Sequence, residues 1–237
     1  MKLDYKSVQA AAERIEAFIN YTPVVTSEKL DDLADCSLFF KCENLQKAGA
    51  FKSRGAVNSI MSLDAKALVK GVATHSSGNH GAALARAAAL TGTAAYIVVP
   101  NNAKQVRQDA IRSYGGQVIL CEPTLDARQA KLEVVLKETG ATFVHPYDQA
   151  EIIAGQGTAM LELAQQVKDL DIVVVPVGGG GLLAGCSLVA EHEQIKVIGA
   201  EPEGADDALR SINTGELVLS HTPDTICDGL LPTLGAR

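Results

Sequence analysis

Between residues 38 and 200 the chain alternates short β-branched runs with Ala- and Leu-rich stretches, and this alternation limits the possible folds most. The predicted strands are Leu38–Cys42, Gly71–Thr74, Ala95–Val99, Gln117–Leu120, Ala141–Val144, Ile172–Val177 and Lys196–Ala200. Helical segments are expected at Asn79–Leu90, Gln105–Tyr114, Leu125–Thr139 and Gly157–Lys168. Strand, helix and next strand recur at roughly 22–31 residues, which predicts βαβ units and a parallel α/β sheet. The apolar runs are nearly continuous, so the strands are expected to be covered on both faces. No repeat, low-complexity tract or Pro/Ser linker marks a boundary. Any two domains must therefore share interleaved chain.

The charge balance excludes several function classes. Lys and Arg total 21 against 28 Asp and Glu, a net charge of −7. Nucleic-acid and membrane-surface partners attract basic patches, so neither is expected. With no Trp, five Tyr and five Phe, stacking platforms for single strands are not expected either. The five cysteines (Cys36, Cys42, Cys121, Cys186, Cys227) are odd in number and form no C-x-x-C pair. They read as small buried hydrophobes in a reducing compartment. The opening Met-Lys-Leu-Asp-Tyr-Lys has no apolar leader core, and a cytoplasmic location is expected. Ile172 to Ala190 carries no charge, but Pro176 and Gly178–Gly181 interrupt it where a membrane helix needs its backbone bonds. A strand, a glycine turn and a buried helix fit that run.

Three constellations carry chemistry. Val175-Pro176-Val177 leads into Gly178-Gly179-Gly180-Gly181-Leu182, and glycines there let backbone approach a ligand closely and adopt positive φ. A helix beginning near Leu182 adds its free N–H groups and positive dipole end, which suits an anion. No Lys follows for a triphosphate, so a phosphate monoester is the better match; a tight structural turn is the alternative. Lys52 follows Phe51 and precedes a predicted helix, Ser53 to Ser62. A desolvated lysine amine can lose its proton and form a Schiff base. Taken alone, a solvated surface charge is the simpler reading of that lysine. Thr74-His75-Ser76-Ser77-Gly78-Asn79-His80-Gly81 places hydroxyls, an amide and backbone donors in one strand-to-helix turn. It can bind a carboxylate and carry a proton, or simply cap a helix through Ser77 or Asn79.

In this order and spacing, Phe51-Lys52, Ser76-Ser77-Gly78-Asn79-His80 and the glycine tetrad resemble fold-type II pyridoxal-phosphate enzymes of the serine racemase and serine/threonine dehydratase family. The likeness runs from about Ile19 to the last residue. It passes through Leu38-Phe39-Phe40-Lys41-Cys42-Glu43, Val144-His145-Pro146, Ile153-Ala154-Gly155-Gln156-Gly157-Thr158 and Cys227-Asp228-Gly229. The resemblance implies an α/β fold like that of the tryptophan synthase β subunit, with two interleaved parallel-sheet domains. Residues 53–145 would form a small mobile domain, and residues 1–52 plus 146–237 a large cofactor domain.

The resemblance also implies roles. Lys52 would hold pyridoxal phosphate as a Schiff base and act as base at the substrate Cα. Gly178, Gly179, Gly180, Gly181 and the Leu182 N–H would hold the phosphate, and Asn79 the phenolic oxygen. Ser76, Ser77, Asn79 and His80 would line the carboxylate loop, with Ser77 facing Cα opposite Lys52. Arg128 and Asp228 fall where the family places further substrate-contacting polar groups; a solvated charge is the alternative for each. The expected reaction is Cα-proton abstraction from a serine-like amino acid. It is followed by reprotonation, or by loss of water to give a 2-oxo acid and ammonia. The alternatives are a 3-hydroxyaspartate dehydratase, and a non-catalytic chain that binds only metal or partner subunits. A homodimer is expected.

The run from Glu201 to Asp207 carries two carboxylates six residues apart with an intervening carbonyl, oxygen donors suited to a hard cation such as Mg²⁺ or Ca²⁺. The resemblance points to Glu201, the Ala205 carbonyl and Asp207 as ligands. Their spacing is similar to the divalent-metal site of serine racemases, and an acidic helix start is the other reading. Family members usually continue past this point into a Ser/Thr-Gly-Gly-Asn stretch whose hydroxyl contacts the pyridine nitrogen. Here the chain ends at Thr233-Leu234-Gly235-Ala236-Arg237, so the large domain is expected to be incomplete at its C-terminus.

Overall fold

The structure is a computed structural model in which residues 3–76, 78–218 and 222–236 are described. The chain opens with α1 (Tyr5–Ile15). A short antiparallel pair follows, β1 (Val24–Val25) with β2 (Phe40–Lys41), around α2 (Glu28–Ala34). Next come α3 (Lys52–Met61), α4 (Ala65–Lys70), β3 (Val72–His75), α5 (Asn79–Thr91) and β4 (Ala95–Pro100). Then follow α6 (Gln105–Ser113), β5 (Gln117–Cys121), α7 (Leu125–Thr139), β6 (Thr142–Phe143) and α8 (Ala150–Gln166). The chain continues through β7 (Ile172–Pro176), α9 (Gly181–Glu193), β8 (Lys196–Ala200) and α10 (Asp207–Thr214). All seven predicted strands are present, with ends that differ from the predicted ones by about two residues at most.

Strands β5-β4-β3-β6 form a parallel sheet in that order. Successive side chains point to opposite faces, and both faces are covered. Val72, Ala95, Ile97 and Val99 pack with Ala85 of α5, Ile111 of α6 and Val57 of α3. Ala73 and Val98 pack against Leu132 and Val135 of α7. β7 and β8 form a separate parallel pair. Val173 and Val175 bury themselves with Met160, Val189 and Val8. The opposite face departs from the expectation of two-sided burial. Val174 is 61 % exposed and Ile172 46 %, and both line an apolar groove of about 980 Å³ with Leu38–Phe40. Among the described residues nothing covers it.

The two cores meet at α8, which touches α3 and α9 through glycines. A Cβ on Gly155 would stand 2.5 Å from the Gly55 Cα, and one on Gly157 2.6 Å from the Gly185 carbonyl oxygen. Only hydrogen fits at such crossings, so the helices pack at backbone distance. The run Ile172–Ala190 becomes β7, a glycine loop and α9. No helix among the described residues is long and apolar enough to cross a membrane. The cysteines correct the expectation of uniform burial: Cys186 is buried, Cys36 and Cys227 are exposed, and all five are free.

Candidate active site

The three constellations converge on one short segment, Val144–Tyr147. Lys52 begins α3, and its amine donates to the Pro146 carbonyl at 2.8 Å. The His80 Nε2 lies 3.4 Å from the Val144 carbonyl, so that nitrogen carries the proton. The Tyr147 ring lies against Gly179, and the Tyr147 carbonyl oxygen stands 2.6 Å from where a Gly181 Cβ would be. Any side chain on Gly179 or Gly181 would therefore strike this segment. Of the tetrad, Gly180 has a positive φ (+85°) and is the N-cap of α9; close approach, rather than strain, explains Gly179 and Gly181.

Burial sets the electrostatics. Desolvation lowers the Lys52 amine from 10.5 to about 8. Burial, reinforced by the nearby Lys52 charge, lowers His80 to about 3, so its imidazole is neutral at pH 7. His80 Nδ1 is buried and has no hydrogen-bond partner among the described residues. Burial and the Arg128 charge lower His75 to about 4. Tyr147 is raised, chiefly by burial, while a hydrogen bond to Thr233 opposes the rise.

The remaining predicted residues divide. Ser76 is half-buried, and its hydroxyl accepts from the Gly78 N–H at 3.3 Å. Asn79 is exposed in the first turn of α5, with Gly78 as N-cap and no side chain capping the helix. Ser77 lies outside the described residues. Arg128, in the first turn of α7, is close enough to bias His75 and Tyr147. Asp228 is exposed and pairs with Arg107 of α6. Leu182 follows Gly181 in the first turn of α9.

Glu201 directly follows β8, and its two carboxylate oxygens accept the Ala208 and Leu209 N–H groups at 3.1 and 2.9 Å. Buried Asp207 accepts the Leu234 N–H at 2.7 Å, and Ala205 is buried beside it. Among the described residues no three His, Cys, Asp or Glu side chains gather as a metal cluster.

Sequence reasoning gave no role to Pro146 or Tyr147, although Val144-His145-Pro146 carried part of the resemblance. It also missed the C-terminal strap: Gly235 N–H donates to the Gly179 carbonyl at 3.2 Å, and Leu234 packs on Gly180. Neither contact has a sequence signal, because each depends on backbone atoms.

A part-buried lysine and a glycine loop at the start of a helix thus meet at one short segment. Residues 15–234 match the profile of the family described as "Pyridoxal-phosphate dependent enzyme", and the chain belongs to that family. It is 49% identical over 234 residues to a serine racemase of Arabidopsis thaliana, covering 98% of this chain and 71% of that protein. A β-hydroxyaspartate dehydratase of Paracoccus denitrificans is 47% identical over 232 residues, covering 97% and 74%. The solved structure of maize serine racemase superposes with a TM-score of 0.97 at 43% identity, covering 99% of this chain and 72% of that one.

Proposed function

We propose that the chain is a pyridoxal-phosphate-dependent racemase or dehydratase acting on a small β-hydroxy amino acid such as serine. The carrying observation is the convergence of Lys52, His80 and the glycine loop on Val144–Tyr147. The residues fit the cofactor: a desolvated amine, a glycine loop that opens the positive end of α9, and an orphaned buried imidazole nitrogen. When bound, the cofactor supplies the electron sink that makes the substrate Cα–H acidic.

The protein's part follows from its own groups. Lys52 would hold the cofactor, and its amine, once substrate has displaced it and with a pKa below that of a solvated lysine, would take the Cα proton. Gly178–Gly181 and the Leu182 N–H hold the phosphate at the positive end of α9. Asn79 binds the phenolic oxygen. Ser76, Ser77, Asn79 and His80 hold the substrate carboxylate at the start of α5, with Arg128 and Asp228 as further polar contacts. A neutral His80 there accepts or donates a hydrogen bond without adding charge. Ser77 supplies the proton on the opposite face, as the family resemblance suggests, and residues 53–145 move as the small domain. Glu201, Asp207 and the Ala205 carbonyl hold Mg²⁺ or Ca²⁺. The donor types fit, since each Glu201 oxygen accepts a single N–H and keeps a lone pair. The working unit is a homodimer.

The test is to load the full chain with pyridoxal phosphate, reduce it with borohydride and find the labelled peptide, then assay D-serine and pyruvate from L-serine. Label on Lys52 and formation of either product are expected. A label elsewhere, or neither product from a labelled chain, overturns the reading. The β-hydroxyaspartate dehydratase relative supports elimination as a second reading. Ser77→Ala separates the two: it should suppress racemization more than elimination, and equal losses would give Ser77 a binding role instead.

A further inference from the structure

We infer that Arg54 is a positioning residue for Lys52: its guanidinium clamps the first turn of α3 to Glu43 and Glu162, and that clamp aims the Lys52 amine. The inference rests on the reading of Lys52 as the cofactor lysine. In helix α3 the clamp stands where a cap would. Its N-cap, Phe51, has helical backbone angles and makes no side-chain capping bond, so the first turn lacks the usual anchor.

Arg54 is completely buried, yet every N–H of its guanidinium is satisfied. Nε and Nη2 fork onto Glu43 at 2.7 and 2.7 Å, and Nη1 and Nη2 fork onto Glu162 at 2.7 and 2.9 Å. Nη1 also reaches the Thr158 hydroxyl at 3.2 Å. Lys41 donates to Glu162 at 2.6 Å, so two cations and two carboxylates balance. Glu43 opens a short turn, Glu43–Leu45, earlier in the segment that leads to α3, while Thr158 and Glu162 lie on α8.

A buried ion quartet of this kind contributes little net stability, because desolvating four charges offsets their attraction. What it supplies is geometry, since two planar forks fix one guanidinium in position and orientation. Residues two apart on a helix point about 200° apart. Arg54 and Lys52 therefore leave α3 on nearly opposite sides. Gripping the turn at Arg54 fixes where Lys52 emerges, toward the Pro146 carbonyl.

The test uses the cofactor-free full chain as wild type, Arg54→Lys and Glu162→Gln. Pyridoxal phosphate is added, captured adducts are trapped with cyanoborohydride, and the Lys52 peptide is followed by mass spectrometry from about pH 6 to about pH 10. The Lys52 charge acts on His80, which stays neutral over that range, and Glu43, Glu162 and Lys41 surround Arg54. The wild-type midpoint should fall near 8. Arg54→Lys keeps the charge but loses the double fork. Its midpoint should rise by about one unit as water reaches the amine, and capture near neutrality should slow about tenfold. Glu162→Gln loses one fork and should shift the midpoint the same way by less. Wild-type capture on another lysine overturns the cofactor-lysine reading. Capture on Lys52 with an unmoved midpoint in whichever variants fold, judged by far-UV circular dichroism, overturns the role of Arg54.

Discussion

The two parallel sheets share a sequence style but not a burial state. In β3–β6 the apolar runs are covered by α3, α5 and α6 on one face and by α7 on the other. In β7 and β8 a comparable run, Ile-Val-Val-Val-Pro, is covered on one face while the other lines an open groove. A continuous β-branched run therefore states that a strand is built for two covers; it does not state that both are present in the same chain. The matched region makes up 71% and 74% of the two curated relatives.

The sharpest way to break the contrast is a pair of truncations. Ile97→Ala, at a fully buried position in the four-stranded sheet, should cost about 2–5 kcal/mol in urea unfolding. Val174→Ala, at a position 61 % exposed on the open face, should cost less than about 1 kcal/mol. Equal costs would mean that the open face is covered in solution.

Acid should separate the same two regions less strongly. His75 ends β3 and His80 lies in α5, and burial lowers them from 6.5 to about 4 and about 3. The unfolded chain binds these protons near 6.5, whereas the folded chain resists them until well below. Their contribution is thus complete above pH 6.5 and is lost as pH falls toward about 4 and about 3. Hydrogen exchange at pH 5 should rise in β3 before β7, and His80→Gln should flatten the dependence of the urea midpoint on pH between 7 and 5. Earlier opening of β7 would place the acid-sensitive groups elsewhere.

Much of this arrangement was legible, and the exceptions have physical causes. Leu125–Thr139 matches α7 residue for residue, because Thr124 caps it and Gly140 closes it in the left-handed conformation. Helix α8 was expected from Gly157 but begins at Ala150, because Gly155 and Gly157 read as helix-weakening when they serve as crossing points. The β1 strand, two residues paired to β2, is too short to show a period. Lys52, His80 and the glycine tetrad were legible because each sits beside a strand end or helix start. Arg54 was not: its partners lie 11 and 108 residues away, and nothing local marks a buried guanidinium.

The smallest effect lies at the end of the open sheet, where two readings of Glu201 diverge. As a cap, its carboxylate satisfies two N–H groups of α10, and Glu201→Ala should cost about 0.5–2 kcal/mol whatever cation is present. As a metal ligand, it shares an ion with Asp207 and the Ala205 carbonyl. A cation that binds the folded chain stabilises it by mass action, so EDTA should then lower the wild-type melting temperature by a few degrees. Glu201→Gln and Asp207→Asn should abolish that response, whereas exposed Glu203→Gln should keep it. A melting curve indifferent to EDTA, Mg²⁺ and Ca²⁺ alike would leave Glu201 as a cap on a short helix and nothing more.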